Sequence, residues 1–313
     1  MSSHTQILEY WRLFAVEPAA FELCELAETF QIKLSVFALF CYTAAENSGR
    51  DGEMNVKHDG RRLRVPASRR LTSDLLWLNR VVPLCGHDRI FRLQDLASAR
   101  SKLTDRISWP ALFIRAFSLV AQKHPELRQT WYRWPFSHLY QHPVNVASIT
   151  VHRNWKNAAW LFWGQIDQPE SSTLPQIQQQ LDCFRDAPVE QVFRKQTRLA
   201  QLPTPLRRLI WWWNHNVATA KRAKRLGTFF VSTLAGRGAE IQIPPAIHTG
   251  CLTFGPLNQA GECRVTLAYD HRVMDGFLVA AILESLESVL SDQMLTELQD
   301  SSTEQPLAEG QAA

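Results

Sequence analysis

The chain has 313 residues, of which 45% are hydrophobic and 20% charged, a composition typical of a folded globular protein rather than a disordered or fibrous one. Its net charge is only +4, and it contains no recognisable nucleic-acid-binding module, so nucleic acid is not an expected partner. Six cysteines without a CxxC pair and an N-terminus without signal-peptide features predict a reduced, cytoplasmic protein. The longest apolar-rich run, Leu34 to Ala45, is shorter than the roughly 20 residues that cross a bilayer, so no transmembrane helix is expected.

The predicted organisation is one main domain with an extension at each end. Residues 1–50 have the mixed apolar and charged positions of a helical N-terminal extension, and they lead into a polar, glycine-containing segment. Residues 51–295 form the predicted main domain. Residues 296–313 have little to bury and are predicted to be a disordered tail.

The main domain alternates helices and strands irregularly. In chain order the predicted elements are a helix from Ser108 to Gln122, a strand over 144–152, a polar helix over 174–199, a helix over 206–226 that Gly227 ends, strands over 228–234 and 264–269, and a helix from Gly276 to about Ser291. No repeat is evident. This order predicts an α/β fold with a mixed sheet.

The sharpest local motif is Tyr269-Asp270-His271-Arg272-Val273-Met274-Asp275-Gly276, where a predicted strand gives way to a helix. A strand end displays side chains at the rim of a sheet, and an imidazole there can exchange a proton with a substrate near neutral pH. A structural interpretation competes with this one: Asp275 caps the helix that begins at Gly276, and His271 is an ordinary loop residue.

The motif and several upstream segments resemble one family. VTLAYDHRVMDG and the following helix resemble the C-terminal signature of the catalytic domain of dihydrolipoyl acyltransferases of 2-oxoacid dehydrogenase complexes, relatives of chloramphenicol acetyltransferase. The further matching segments are Gly227 to Leu234, Ile243-Pro244-Pro245, the helix Ser108 to Gln122 with Lys123-His124-Pro125-Glu126-Leu127 after it, the strand VNVASITV, and Arg69-Arg70. The resemblance covers about residues 62–292 and implies a chloramphenicol-acetyltransferase-like two-layer sandwich of a mixed β-sheet and helices.

The same resemblance implies roles for individual residues. His271 is the general base that takes a proton from a thiol or hydroxyl as it attacks a thioester, and the Ser232 hydroxyl stabilises the oxyanion that forms. Asp275 orients the histidine loop by pairing with Arg69 or Arg70. The family places the histidine of one subunit against the serine of its neighbour, so a homotrimer is expected.

The chain departs from the family because no lipoyl domain, Pro/Ala-rich linker or subunit-binding domain is visible. The expected function is therefore acyl transfer between a thioester of coenzyme A or of a phosphopantetheine on an acyl carrier protein and a thiol, hydroxyl or amine. No tightly bound cofactor and no metal site are expected. Two alternatives are a lipoyl-dependent core of a 2-oxoacid dehydrogenase complex and a catalytically inactive trimeric scaffold.

A second departure is the segment over residues 206–226, which combines three consecutive tryptophans with six basic residues. One interpretation is a helix packed on the core through its aromatic side. In another, Arg222 and Arg225 bind substrate phosphates or an acidic carrier protein, while Trp212 and Trp213 line an acyl-chain pocket. The third is peripheral attachment to an anionic membrane surface.

Overall fold

A computed structural model describes residues 64–303 of the chain. The predicted extension over residues 1–50 lies outside the described residues, as do residues 304–313 of the predicted tail. Within the described range, no helix has both the length and the apolar character that a bilayer crossing requires.

The described chain is a mixed α/β domain. Its helices are α1 (Ala67–Asn79), α2 (Gln94–Ser101), α3 (Trp109–Lys123), α4 (Leu174–Asp186), α5 (Val189–Val192), α6 (Arg194–Gln201), α7 (Thr204–Asn216), α8 (Thr219–Leu226), α9 (Gly276–Val289) and α10 (Leu295–Thr303). Its strands are β1 (Leu84–Arg92), β2 (Gln129–Tyr132), β3 (His138–Gln141), β4 (Val146–Trp155), β5 (Ala158–Asp167), β6 (Phe229–Thr233), β7 (Gly250–Phe254) and β8 (Glu262–Asp270). The predicted α/β class is confirmed.

Six strands form the main sheet in the order β1-β8-β7-β6-β4-β5. β6 pairs in parallel with both β4 and β7, and the remaining neighbours are antiparallel, so the sheet is mixed, as predicted. β2 and β3 form a separate antiparallel hairpin. Because β5 precedes β6 in the chain but lies beyond β4 in the sheet, the stretch 168–228 is a long crossover that carries α4 to α8.

One face of the sheet packs against α3 and α9. α3 begins with Trp109 and Pro110, and proline is favoured at this place because its missing N–H would have no helical partner. Phe113 stacks on Phe254 of β7 at 4.0 Å between ring centroids, and Phe117 meets Phe229 of β6 edge-on at 4.9 Å. Burial of each such ring stabilises the folded state by roughly 1.5–3 kcal/mol. The main core of the domain lies in this layer between the sheet and the two helices.

The opposite face is partly covered by α1 and by the crossover helices α6 to α8. A buried ion pair connects the two groups: Arg207 of α7 donates from Nε to Asp74 Oδ2 of α1 at 2.6 Å. The same guanidinium donates from Nη1 to the carbonyl of Leu202 at 2.8 Å. Only 4% and 1% of the two side chains are exposed, so α1 and α7 are fixed to each other by a desolvated contact.

Two predicted helices are broken into shorter ones. The helix predicted over 174–199 ends at Asp186 because Pro188 follows, and α5 and α6 continue after it. The helix predicted over 206–226 is interrupted at Val217 and Ala218, which separate α7 from α8. The predicted end at Gly227 is confirmed, and the residue has φ +96° and lies so close to Ser148 that a Cβ would overlap that hydroxyl.

The C-terminal boundary also differs from the prediction. α9 leads through a π-helical turn, Leu290–Met294, directly into α10, which ends at Thr303. The prediction that disorder begins at residue 296 is therefore wrong for residues 296–303. Leu298 explains the difference, because its side chain is 1% exposed and belongs to the core of the domain.

Candidate active site

His271 lies where β8 ends, and its side chain is exposed. Its backbone N–H donates to the Pro83 carbonyl at 3.2 Å, which holds the turn against the segment before β1. The ring of Tyr269 lies 5.5 Å from that of His271, and His87 stacks on the same tyrosine at 5.5 Å. The sequence motif therefore places an accessible imidazole at the rim of the sheet, above an aromatic support.

The residues on either side of His271 are held by an ion pair. Asp270 is 5% exposed and accepts from the Arg272 backbone N–H at 3.0 Å, from Nε at 2.8 Å and from Nη2 at 2.6 Å. The Arg272 guanidinium also lies 4.1 Å above the ring of Trp131. The sequence analysis did not predict this ion pair, although the opposite charges of Asp270 and Arg272 on either side of His271 indicate it.

Asp275 caps α9 rather than pairing with an arginine. Its Oδ1 accepts from the Leu278 backbone N–H at 2.9 Å, and its backbone is extended, as at a typical N-cap. Arg70 instead donates to the Ala200 carbonyl at 3.2 Å, and Arg69 is exposed near the start of α1. The predicted pairing of Asp275 with Arg69 or Arg70 is therefore wrong, because the unpaired N–H groups of the first turn of α9 occupy the carboxylate.

Ser232 lies on β6, where Phe229 and Val231 face the main core. Because side chains alternate between the two faces of a strand, the Ser232 side chain lies on the opposite face of the sheet. Ser232 pairs with Thr253, which in turn pairs with Thr266 of β8. His271 lies five positions beyond Thr266, so at about 3.3 Å per residue and about 4.8 Å per strand the two residues are about 19 Å apart within one chain. A single chain does not bring Ser232 and His271 together.

Arg222 is a buried structural residue. It is 3% exposed, and its guanidinium donates to the carbonyls of His215 and Ile247 at 2.8 and 2.6 Å. One of these bonds satisfies a carbonyl at the C-terminal end of α7, which explains why the helix can stop at Asn216 without glycine or proline. The prediction that Arg222 binds substrate phosphates or an acidic carrier protein is wrong, since its side chain is buried and its guanidinium is bonded to two backbone carbonyls.

Three buried histidines surround Arg222, and all of them are held neutral. Burial, and secondarily the charge of Arg222, lowers the pKa of His142 to about 4. Burial, with a smaller contribution from Arg222, likewise lowers the pKa of His248 to about 4. The same two causes, burial first, hold the pKa of His215 well below its ordinary value. A buried cation among neutral imidazoles avoids like-charge repulsion at neutral pH.

A cavity of about 810 Å³ lies between the sheet and the helices α1, α6, α7 and α8. The lining residues are Leu71, Leu75, Ser148, Trp163, Gln165, Lys195, Gln196, Leu199, Ile210, Trp211, Asn214, Lys221, Lys224, Arg225, Leu226, Phe230, Pro245, Ala246, Ile247 and His248. Its size is in the range of about 300–1,000 Å³ that small-molecule sites occupy. Neither His271 nor Ser232 is among its lining residues.

The tryptophans predicted to line an acyl-chain pocket have different positions. Trp211 is 7% exposed and forms part of the cavity wall, whereas Trp212 and Trp213 are 37% and 52% exposed and face outwards. The prediction for Trp212 and Trp213 is therefore wrong, because the helical repeat turns only one of three consecutive residues inwards. Arg225 does line the cavity, and its Nη1 donates to the side-chain carbonyl of Asn214.

No protein-family model and no curated protein sequence matches the chain. Among solved structures, the dihydrolipoamide acetyltransferase of Azotobacter vinelandii is similar, with a TM-score of 0.53 and 14% identity over 78% of this chain and 98% of that one. That structure was used to study the role of a serine, a histidine and an asparagine in its catalytic mechanism. A truncated catalytic core of the 2-oxoacid dehydrogenase complex from Thermoplasma acidophilum has a TM-score of 0.53 at 13% identity, over 74% and 99% of the chains.

The cubic core of a pyruvate dehydrogenase complex is similar to the same degree, with a TM-score of 0.52 at 14% identity over 78% of this chain and 98% of that one. Each of these structures is matched over nearly its whole length, whereas the sequence identity is low. The predicted fold is therefore confirmed: residues 64–303 adopt the architecture of these acyltransferase cores.

Proposed function

We propose that the protein is an acyltransferase that moves an acyl group from a thioester to a thiol, hydroxyl or amine, with His271 as general base. The observation that carries the proposal is the position of His271, exposed at the end of β8 and four residues before the cap of α9, on this fold. In the Azotobacter acetyltransferase the histidine and asparagine studied for catalysis are likewise four positions apart.

In the proposed reaction, His271 takes the proton from the acceptor as the acceptor's sulfur, oxygen or nitrogen bonds to the thioester carbonyl carbon. The carbonyl oxygen becomes an oxyanion, to which the Ser232 hydroxyl donates a hydrogen bond. The intermediate collapses when the carbon–sulfur bond breaks, and the protonated imidazole returns the proton to the leaving thiolate. General base catalysis of this kind supplies about 10²–10⁴ in rate, and one oxyanion donor about 10²–10³.

This mechanism requires that the two residues come from different subunits. Because Ser232 and His271 of one chain are about 19 Å apart by strand spacing, a reacting carbonyl cannot contact both. A homotrimer in which each interface joins the histidine of one subunit to the serine of the next would complete three equivalent sites. The separation within one chain therefore supports the trimer.

The proposed donors are acyl-CoA and the phosphopantetheine thioester of an acyl carrier protein, which present the same thiol on the same slender arm. Lys221, Lys224 and Arg225 are exposed and are the cations of the 206–226 segment that remain available to phosphate or to an acidic carrier surface. The protein would need no tightly bound cofactor.

The test is acyl exchange or thioester hydrolysis with a panel of acyl-CoAs, with wild type compared against H271A. We expect turnover by the wild type and a loss of about 10²–10⁴ in the variant. Equal rates for both proteins across the panel would contradict the proposal and favour the inactive scaffold. Turnover only with free dihydrolipoamide as acceptor would favour a lipoyl-dependent core of a dehydrogenase complex.

A peripheral membrane contact is a second proposal, supported by four exposed apolar residues on α7. Leu206, Leu209, Trp212 and Trp213 are between 37% and 57% exposed, and such a surface next to cations suits an anionic lipid headgroup region. Sedimentation with phosphatidylserine-containing vesicles should therefore carry the wild type down, and carry W212A/W213A down less. Equal sedimentation of the two, or none, would contradict this contact.

A further inference from the structure

We propose that the cavity between the sheet and helices α1, α6, α7 and α8 is a binding site for an aliphatic chain that carries an anionic group. The chain would occupy the apolar interior, and the anion would lie at a rim of lysine and arginine. The proposal concerns binding alone, so it does not depend on acyl transfer by His271 and Ser232.

The interior of the cavity is apolar and comes from both layers of the domain. Leu71 and Leu75 of α1, Leu199 of α6 and Ile210 of α7 face Phe230 of the sheet across it. Removal of apolar surface from water is favourable, so a chain of about eight to twelve carbons that filled such a space would be held by burial of its own surface. The volume of about 810 Å³ accommodates such a chain.

Among the described residues that line the cavity, four are cations and none is a carboxylate. Lys195 lies on α6, and Lys221, Lys224 and Arg225 lie on α8. Over residues 64–303, none of the four forms an ion pair with an aspartate or glutamate. The charge of the rim therefore selects for an anion.

Lys224 and Arg225 stand three and four positions after Lys221, which places each of them next to Lys221 on the surface of α8. Like charges at this spacing repel one another and destabilise a helix. An anion bound between them would attract all three cations and so offset this repulsion. α8 is only eight residues long, and its sequence contains no acidic residue to pair with these cations.

The wall also holds a hydrogen-bond donor without a partner. Trp211 is 7% exposed, and its indole N–H, which can only donate, has no acceptor within the described residues. His248, stacked on Phe230 at 5.4 Å, uses Nε2 on the Leu226 carbonyl at 2.7 Å, and its Nδ1 is likewise unpartnered. Both nitrogens are covered from solvent, so a bound chain would contact the faces of these two rings rather than the nitrogens.

The test is calorimetric titration of the full-length protein with dodecanoate below its micelle concentration, with dodecanol and acetate as matched probes that lack the charge or the chain. We expect saturable binding of dodecanoate, weaker binding of dodecanol and none of acetate. Dodecanoyl-CoA is titrated in parallel, because the same chemistry is present in a free fatty acid and in a thioester whose anionic groups are phosphates. Binding of either one supports the site, and the stronger of the two identifies the source.

Two pairs of variants locate the binding. K221S/K224S should raise the Kd about tenfold, whereas K102S/K123S, which removes two lysines away from the cavity, should leave it unchanged. I210W fills the cavity and should abolish binding, whereas L209W on the exposed side of the same helix should not. The proposal would be overturned if neither dodecanoate nor dodecanoyl-CoA binds, or if dodecanol binds as tightly as dodecanoate. It would also be overturned if neither K221S/K224S nor I210W changes the Kd.

If I210W fails to fold, the lysine pair alone decides the outcome. Because these titrations measure no turnover, they can succeed when H271A shows no catalytic effect and can fail when it shows one. The two proposals are therefore tested separately.

Discussion

The strongest test of the proposed site is complementation between two inactive variants. H271A removes the base and S232A removes the oxyanion donor, and each alone should lower acyl transfer, by about 10²–10⁴ and about 10²–10³ respectively. Within one chain the two residues are about 19 Å apart by strand spacing. If neighbouring subunits complete the site, a mixed trimer of the two variants regains intact sites.

The size of the recovery follows from the symmetry. An interface is intact only when its histidine comes from an S232A subunit and its serine from an H271A subunit. With equal amounts and random assembly each condition holds half of the time, so about one quarter of the interfaces are intact. The whole mixture should therefore show about one quarter of the wild-type rate, and mixed trimers separated from the homotrimers, each with one intact interface of three, about one third, far above either parent.

The assay is thioester turnover after co-expression of the two variants with different affinity tags, which allows mixed oligomers to be isolated. The control replaces S232A by the H271A/S232A double variant, which can form no intact interface with H271A. Mixed oligomers whose rate stays at that of the parents would refute the shared site. A folded monomer of 35.9 kDa at micromolar concentration would refute it as well.

The other predictions concern the buried polar groups and the helix cap. The pKa values of buried His142 and His248 lie near 4, below their ordinary 6.5, so on acidification the unfolded chain binds a proton at each histidine before the folded chain does. Lowering the pH from 6.5 to 4 should therefore lower the free energy of unfolding, measured by urea titration, by up to about 3 kcal/mol per histidine. R207M should lower the free energy of unfolding by about 3–5 kcal/mol in the same assay, because it removes both hydrogen bonds that Arg207 donates to buried Asp74 and leaves only the more distant Arg208 beside it. D275A should cost about 1 kcal/mol and D275N little, since the amide oxygen can also accept from the helix N–H groups.

Each of these has a result that contradicts it. A pH dependence that is unchanged in the H142Q variant would mean that His142 stays in contact with solvent. A cost below about 1 kcal/mol for R207M would mean that Arg208, whose Nε lies 3.8 Å from Asp74 Oδ1, replaces the lost charge. Equal destabilisation by D275A and D275N would mean that the charge of Asp275, rather than its cap, stabilises the fold.

The elements that the sequence predicts well are those whose local pattern agrees with their burial. α3 has an apolar stripe and an opening proline, and β6 and β8 are short, β-branched or alternating runs. β1 was not predicted, because it lies at the edge of the sheet and most of its side chains are exposed, which removes the alternation. β5 was not predicted either, since its aromatic residues face both sides.

The position of His271 at a strand end could be predicted from the motif alone, whereas the cavity could not. Its lining comes from segments as distant in sequence as Leu71 and His248, and only tertiary packing brings them together. The basic run of α8 likewise hides one buried residue among exposed ones. Arg222 lies one helical turn before Leu226, and that spacing was the signal that distinguishes it from Lys221 and Lys224.

The crossover between β5 and β6 keeps the residues that form one cavity wall apart in sequence from the strands that carry His271 and Ser232. Residues 189–226 form most of one cavity wall, yet they contribute no strand to the sheet and neither His271 nor Ser232. Substitutions, insertions and deletions there can change which molecule is held while the strand ends keep their positions. Descendants of one ancestral gene could thus acquire different ligands by replacing this stretch alone, and a laboratory chimera that exchanges residues 189–226 would follow the same route.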